Sequence, residues 1–94
     1  MKSAAPVNDF LIKAANDKRL LPSHISLYMA MFYYSPAEKP RDQFQVSRKK
    51  LMRFSRIKSV ATYHKCLKEL VAYGYIHYQP SYNPYLASSV ALLR

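Results

Sequence analysis

Residues 43–68 read QFQVSRKKLMRFSRIKSVATYHKCLK, and this stretch carries eight basic side chains and no acidic one. Apolar residues recur between the charges at helical spacing, so the pattern predicts two short helices joined by a tight connection at residues 55–58. Ser47 and Ser59 each precede a helical pattern and are the predicted N-caps, because their side-chain oxygens can accept from free amides of the first turn. A packed scaffold of this kind would present its basic residues on one side.

The second of these helices, residues 59–73, is predicted to end at Gly74, which suits a left-handed C-cap. On a helical wheel of 100° per residue its apolar side chains fall together and are predicted to face inward. They are Val60, Tyr63, Leu67, Leu70 and Val71. The opposite side is predicted to hold Lys58, Ala61, Thr62, Lys65 and Glu69. In the first helix, about residues 48–54, the same pattern predicts that Leu51 and Phe54 face inward.

Two further helices are predicted upstream, over residues 7–19 and 22–35. The first has apolar residues at i, i+3, i+4 and i+7, and it breaks before Pro22 because a residue that precedes proline disfavours the α region. The second helix is apolar on two sides. One side therefore enters the core, and the other is covered either by the first helix or by the partner in a homodimer formed through the N-terminal helix.

Three short segments alternate between apolar and polar residues as strands do. Residues 44–46 form one candidate strand before the basic stretch, and residues 75–79 form another after it. Residues 80–84 are dense in turn formers, and a third alternating segment follows at 88–93. The last two segments predict a β-hairpin over residues 75–93.

The order helix, helix, strand, helix, helix, hairpin predicts a single domain over residues 1–94. The expected fold is mainly α with a small β-hairpin, namely a winged helix-turn-helix of the α+β class with an extra N-terminal helix. Residues 47–74 form its helix-turn-helix, and the hairpin forms its wing.

Composition limits the function classes that suit this chain. The 94 residues carry a net charge of +10, which draws a polyanionic partner. Cys66 is the only cysteine, and its place in a helical pattern predicts a small buried side chain in a reducing compartment. No stretch approaches the roughly 18 apolar residues of a membrane span, and the start lacks a signal-peptide pattern, so we expect a cytoplasmic chain that does not enter a membrane.

Several segments resemble small winged-helix proteins that are carried on bacterial conjugative transposons and related mobile elements. These segments are HISLYMA (24–30), SRKKLMRFSRI (47–57), ATYHKCLKEL (61–70) and GYI (74–76). The resemblance covers about residues 20–92. It implies a winged-helix DNA-binding protein that regulates transcription or assists excision or replication of the element. Many winged helices carry Arg or Lys at the wing tip, whereas Ser81, Tyr82 and Asn83 are uncharged here, which argues against minor-groove insertion by a basic wing.

The predicted partner is duplex DNA, with residues 59–73 as the recognition helix in the major groove. We expect groove contacts from Lys58, Ala61, Thr62 and Lys65, because lysine reaches guanine acceptors and threonine offers a hydroxyl or a methyl group. Phosphate contacts that set the register are expected from Ser47, Arg48, Lys49, Lys50, Arg53, Arg56, Ser59 and Lys68. Two alternatives remain open: a solvated basic face without a partner, and a protein-interaction module that docks on a replication or recombination protein.

Other chemistry gains little support from the sequence. His64 and Cys66 are two residues apart on a helix and point away from each other, so with His77 they do not predict a metal site. The five acids are scattered and there is no glycine-rich phosphate loop, so we expect no enzyme activity, no cofactor and no small-molecule ligand. The tyrosines of the hairpin either pack at the edge of the core or stack on single-stranded nucleic acid, for which Tyr82 at the turn is the residue to test.

Overall fold

A computed structural model describes residues 4–81 and 87–93 of the chain. Within these residues the chain forms four helices and a three-stranded antiparallel sheet, which confirms the mixed α+β class. The elements are α1 (Ala5–Ala15), α2 (Pro22–Tyr34), β1 (Phe44–Val46), α3 (Arg48–Ser55), α4 (Val60–Ala72), β2 (Ile76–Gln79) and β3 (Ser88–Leu92). Across the described part of the chain, no helix has the length and apolar character that crossing a membrane requires.

α1 begins and ends earlier than the helix predicted over residues 7–19. It begins earlier because Pro6 lies in its first turn, where the fixed φ of proline suits a helix. Proline lacks an amide hydrogen, but amides of the first turn have no acceptor within the helix, so no hydrogen bond is lost there. It ends earlier because Asp17 offers the backbone another partner. The Asp17 carboxylate accepts a hydrogen bond from the Arg19 amide at 3.1 Å, and such local bonds compete with continuation of a helix.

The helix predicted over residues 22–35 is observed as α2, with its C-cap one residue after Tyr34. Tyr28 is fully buried, and the ring of Phe10 from α1 stacks on it with 3.9 Å between centroids and 5° between planes. α1 therefore covers part of the second apolar side of α2, as one of the two alternatives predicted. α1 does not cover all of α2, since Ile25 is 38% exposed and Tyr33, which contacts the ring of Phe54, is 59% exposed.

β3 is the central strand of the sheet, and β1 and β2 both pair with it in antiparallel fashion. Val90 of β3 lies opposite Phe44 of β1, and Leu92 lies opposite Ile76 of β2. Val90 and Leu92 are both buried, so this face of the sheet closes one side of the core.

The hairpin predicted over residues 75–93 is present as β2 and β3, each slightly shorter than its predicted strand. Pairing of β1 with β3 adds a third strand to this hairpin. The predicted turn over residues 80–84 is described only as far as Ser81. Tyr82, the predicted wing residue, lies outside the described residues.

α3 and α4 lie where the sequence predicts them, and each is followed by a residue in the left-handed region. Arg56 has a φ of 67° and Gly74 a φ of 83°. The Gly74 amide donates to the carbonyl of Val71 at 3.1 Å, and the Tyr75 amide donates to the carbonyl of Leu70 at 2.9 Å. These paired bonds are those of a Schellman motif, so Gly74 is the predicted left-handed C-cap.

Three apolar residues that the helical pattern placed in the core are exposed, and those predictions were wrong. Phe54 is 43% exposed, Val60 45% and Val71 41%. The ring of Phe54 stacks instead on Tyr33, with 4.7 Å between centroids. Only the middle of the apolar side of α4 is buried in the core, and the residues at its margins are exposed. The buried residues of α4 are Tyr63, Cys66, Leu67 and Leu70.

Candidate nucleic-acid interface

Serine N-caps open both helices of the basic stretch. Ser47 Oγ accepts a hydrogen bond from the Lys50 amide at 3.1 Å, and Ser59 Oγ accepts one from the Thr62 amide at 3.3 Å. Both predicted N-caps are thereby confirmed. A hydroxyl has a donor hydrogen besides its acceptor lone pairs, so each serine still has a hydrogen to offer an anion. The free amides and the helix dipole make the same two helix ends electropositive.

The connection between α3 and α4 holds two cations at the surface. Ile57 is only 7% exposed and anchors the connection in the core. Arg56 precedes it and Lys58 follows it, and both side chains are exposed. Ser55, which was predicted to lie in the connection, is instead the last residue of α3 and is buried.

A depression between α3 and α4, here called the basic depression, collects five of the predicted DNA contacts. Met52, Ile57 and Val60 provide the apolar part of its lining. All five of its basic side chains are exposed. They are Arg48, Lys49, Arg53, Arg56 and Lys58. The fold therefore gathers positive charge from α3 and from the connection into one depression beside the first residue of α4.

Seven of the predicted contact residues do not line the basic depression, and Lys50 and Thr62 are among them. Lys50 is exposed on another side of α3, one helical turn before Phe54. Thr62 lines a second depression with Ser23 of α2. Lys58 lines both depressions and lies at the boundary between them. Of the four residues predicted to contact the groove, Lys58 and Thr62 therefore line a depression beside α2, and Ala61 and Lys65 lie outside both depressions.

The solvent side of α4 is centred on Ala61, Lys65 and Lys68. These residues are spaced i, i+4 and i+7, which places them on one face of the helix, and all three are exposed. His64 is exposed beside them. Lys68 was predicted to contact phosphate and Lys65 to contact bases, yet both belong to the same face. This face and the basic depression together form the candidate interface.

His24 is a buried histidine that the sequence pattern did not single out. Its ring is 1% exposed, and its Nδ1 accepts from the Leu21 amide at 2.8 Å. Since that amide can only donate, the ring proton lies on Nε2, which donates to Glu69 Oε1 at 3.1 Å. This bond is the main reason that the pKa of Glu69 is lowered. Glu69, predicted on the exposed side of α4, is therefore partly buried and ties the last turn of α4 to the start of α2.

The spacing of a capping box could have revealed this histidine. In that motif the third residue of a helix reaches back to the amide of the N-cap residue. His24 takes this place in α2, with Leu21 as the N-cap. The motif is usually recognised by glutamate or glutamine, so a histidine in that position gives a weaker signal.

Other acids are also engaged outside the basic stretch. Asp17 accepts from the Arg19 guanidinium at 2.8 Å, and this bond is the main reason that its pKa lies well below the ordinary range. Asp9 pairs with Arg41. Within residues 4–81 and 87–93, none of the eight basic residues of the stretch forms an ion pair. Their charge therefore remains available to an external anion.

The described tyrosines of the C-terminal region have packing partners. Tyr75 is 3% exposed and meets the ring of Phe10 edge-on, with 5.3 Å between centroids. The Arg19 guanidinium lies 4.0 Å from the centre of the Tyr73 ring. These two rings therefore take the packing role rather than the stacking role. Tyr82, the proposed stacking residue, is outside the described part.

The cysteine and histidines do not converge. Cys66 is buried, as predicted, and its thiol donates to Ser23 Oγ at 3.1 Å. His64 and His77 are exposed. In the parts of the chain that the structure covers, no three His, Cys, Asp or Glu side chains group closely enough to hold a metal ion.

Val60 is the residue of this surface that the sequence pattern misplaced. It was predicted to lie in the core, but it is exposed and lines the basic depression. No sequence signal separates it from Leu67, seven residues later on the same wheel position, because only the surrounding elements decide which of the two is covered.

Comparison with known proteins finds no matching family model, no similar curated protein and no similar solved structure.

Proposed function

We propose that this protein is a winged helix-turn-helix protein that binds duplex DNA in a sequence-specific manner. The observation that carries the proposal is the acid-free stretch of residues 43–68, which spans α3, the connection and the first nine residues of α4, and on which all eight basic side chains are exposed. A typical soluble domain intersperses charges of both signs on its surface. An uncompensated patch of one sign on two packed helices instead suits a polyanion of regular shape.

The topology supports the winged-helix part of the proposal. α2, α3 and α4 are followed by β2 and β3, and β1 precedes α3 and joins the same sheet. A short helix, a tight connection and a longer capped helix form the order of a helix-turn-helix. β2 and β3 then take the place of the wing.

Each part of the interface has a separate role in this proposal. The side chains of the basic depression hold phosphates and set the register of the protein on the duplex. α4 enters the major groove, where Lys65 reaches guanine acceptors and Ala61 allows close approach of the helix backbone. Lys58 lies at the start of α4, where recognition helices contact base edges. Thr62, which is turned toward α2, contacts the edge of the site.

The resemblance to winged-helix proteins of mobile elements suggests the biological setting. In that setting the protein regulates transcription of the element, or assists its excision or replication. A bound DNA site of defined sequence fits each of these roles.

Removing two lysines from the interface tests the proposal. We expect Lys58→Ala/Lys65→Ala to lower duplex affinity by at least about tenfold, because base-edge contacts are worth that much in discrimination. Lys18→Ala/Lys39→Ala is the matched control, since both lysines are exposed outside the basic stretch and the change in net charge is the same. Fluorescence anisotropy on one labelled duplex measures all three proteins. Equal affinity of the folded test and control variants would contradict the proposed interface.

A second candidate function is docking on a larger replication or recombination protein. It is favoured by an apolar surface, here called the outer stripe, that comprises Ile25, Met29 and Tyr33 of α2 with Phe54 of α3. Three of these side chains are at least 38% exposed. This candidate predicts a stable protein complex that is lost in Tyr33→Ser/Phe54→Ser, together with no duplex binding at physiological salt.

A homodimer through α1 remains a further proposal. Phe10 is buried within its own chain, so the surface left to a second copy is Leu11, 49% exposed, and Ile12, 67% exposed. Sedimentation equilibrium of the wild type and of Leu11→Ser/Ile12→Ser tests this surface. A monomer at all concentrations of the wild type would rule it out.

A further inference from the structure

Val60 is an apolar residue placed among cations. It is the first residue of α4, is 45% exposed, and lines the basic depression with the basic side chains. Ala61, the next residue, is exposed as well. Single exposed apolar residues are common on protein surfaces. This pair differs in its position, since it lies at the end of α4 that the proposed DNA complex directs toward base edges.

The chemistry of the major groove limits what such a pair can contact. Guanine, cytosine and adenine present hydrogen-bonding atoms there, whereas thymine also presents a C5-methyl group. Covering a polar base edge with a valine leaves that edge without a partner, which costs free energy. Covering a thymine methyl group removes apolar surface from water on both sides of the contact, which is favourable.

Resting on the proposed DNA binding, we propose that Val60, with Ala61 beside it, selects thymine through its C5-methyl group. Val60 is then a specificity-determining residue, and the arginines and Lys49 around it supply affinity without choosing the base. The capped start of α4 fixes the position of Val60, because the bond between Ser59 and the Thr62 amide sets the first turn. A thymine opposite this turn is therefore a required feature of the bound sequence.

Uracil substitution in the DNA isolates this contact, since uracil differs from thymine only by lacking the methyl group. A pool of short duplexes with randomised sequence is selected on the wild-type protein. The best duplex is then made again with uracil in place of each thymine in turn. Val60→Ala is compared with Val71→Ala as the matched control. Val71 is similarly exposed on the same helix, at 41%, but lines a separate depression near the last turn.

We expect one uracil substitution to weaken binding of the wild type by about threefold to tenfold, which is the worth of a lost methyl contact. Val60→Ala binds the thymine duplex more weakly and does not respond to that substitution, whereas Val71→Ala responds as the wild type does. Circular dichroism confirms that both variants fold.

The outcomes separate the two levels of the proposal. If a duplex is selected but no uracil substitution weakens its binding, the proposed selection of thymine is overturned, and the proposed DNA binding is retained. The same response to uracil in Val60→Ala and the wild type overturns the assignment to Val60. Failure to select any duplex overturns the proposed function and this inference together.

Discussion

At the scale of single residues, Arg56 is the non-glycine residue with a positive φ in the described ranges, at 67°. A side chain with a Cβ atom costs about 1 kcal/mol in the left-handed region. We therefore predict that Arg56→Gly raises the free energy of unfolding by about 0.5 to 1 kcal/mol. The same change lowers duplex affinity, because it removes a cation of the basic depression. Urea denaturation and anisotropy measure the two effects independently.

Arg53→Gly is the matched control for this prediction. It also removes a cation from the basic depression, but it places glycine inside α3, which lowers stability by about 1 kcal/mol. The two variants should therefore change stability in opposite directions and affinity in the same direction. Loss of stability in Arg56→Gly would contradict the left-handed conformation.

We expect two carboxyl groups, those of Asp17 and Glu69, to make the stability of the fold depend on pH. The pKa of Asp17 is lowered chiefly by its bond with Arg19, and that of Glu69 chiefly by its bond with His24. A group whose pKa is lower in the folded chain stabilises the fold above its unfolded pKa, and this contribution is lost as the pH falls toward the folded value. We predict that the free energy of unfolding declines below about pH 4, where unfolded carboxyl groups take up protons.

Glu69→Gln should flatten this decline, because the amide has no charge to lose. Glu38→Gln, in the exposed loop after α2, is the matched control and should keep the wild-type slope. Urea denaturation at a series of acidic pH values gives the comparison. Identical slopes for the two variants would contradict the role of the bond between His24 and Glu69.

At the scale of the elements, the N-cap of α4 belongs to both the fold and the proposed interface. Ser59→Ala removes the acceptor of the Thr62 amide and should cost about 1 kcal/mol of stability. Ser59→Asp keeps a good N-cap, and its negative charge is favourable at a helix start. We predict that Ser59→Asp is the more stable variant and yet the weaker DNA binder, because its carboxylate repels phosphates. If Ser59→Asp bound duplex DNA as well as Ser59→Ala does, the start of α4 would lie away from the DNA.

Local sequence signals predicted the helices of the basic stretch well, because their ends depend on nearby residues. Ser47, Ser59 and Gly74 act on amides and carbonyls within a few positions, so their roles can be read without the fold. The end of α1 was harder to place, since a bond between Asp17 and the Arg19 amide competes with the helix. Pairing of β1 with β3 joins segments that are distant in sequence and has no local signal.

The inward or outward direction of apolar side chains was the weakest part of the prediction. A helical wheel shows which residues share a side, but the width of the buried side depends on the neighbouring elements. Tyr63 and Leu67 are buried under α2 and the sheet, whereas Val60 and Val71 lie beyond that cover. The same limit applies to Phe54, which meets Tyr33 at the surface.

At the scale of the whole molecule, charge is divided between two regions. Asp17 is hydrogen-bonded to Arg19 just after the end of α1, and Glu69 is hydrogen-bonded to His24 at the last turn of α4. The basic depression lies at the first turn of α4, where the helix dipole is also positive. An anion is therefore attracted to the first turn of α4, and Lys65 and Lys68 extend this positive surface along the helix.

Much of the candidate interface could be predicted from the sequence, because an acid-free basic run remains basic in any fold. The division of the interface into the basic depression and the solvent side of α4 could be seen only in the structure. Lys50 does not line the basic depression, and Thr62 lines the second depression beside α2. Val60, which the helical wheel had assigned to the core, lines the basic depression. These placements follow from how α3 and α4 each pack on α2, which no local pattern encodes.

The most direct test of duplex recognition is the salt dependence of binding, measured by anisotropy on a selected duplex and on a scrambled duplex of the same composition. Each neutralised phosphate contributes a slope of about −0.9 to log affinity against log salt. The five cations of the basic depression therefore predict a slope of about −4.5 or steeper, with the selected duplex bound more tightly at every salt concentration. A shallow slope with equal, weak binding of both duplexes would contradict the account.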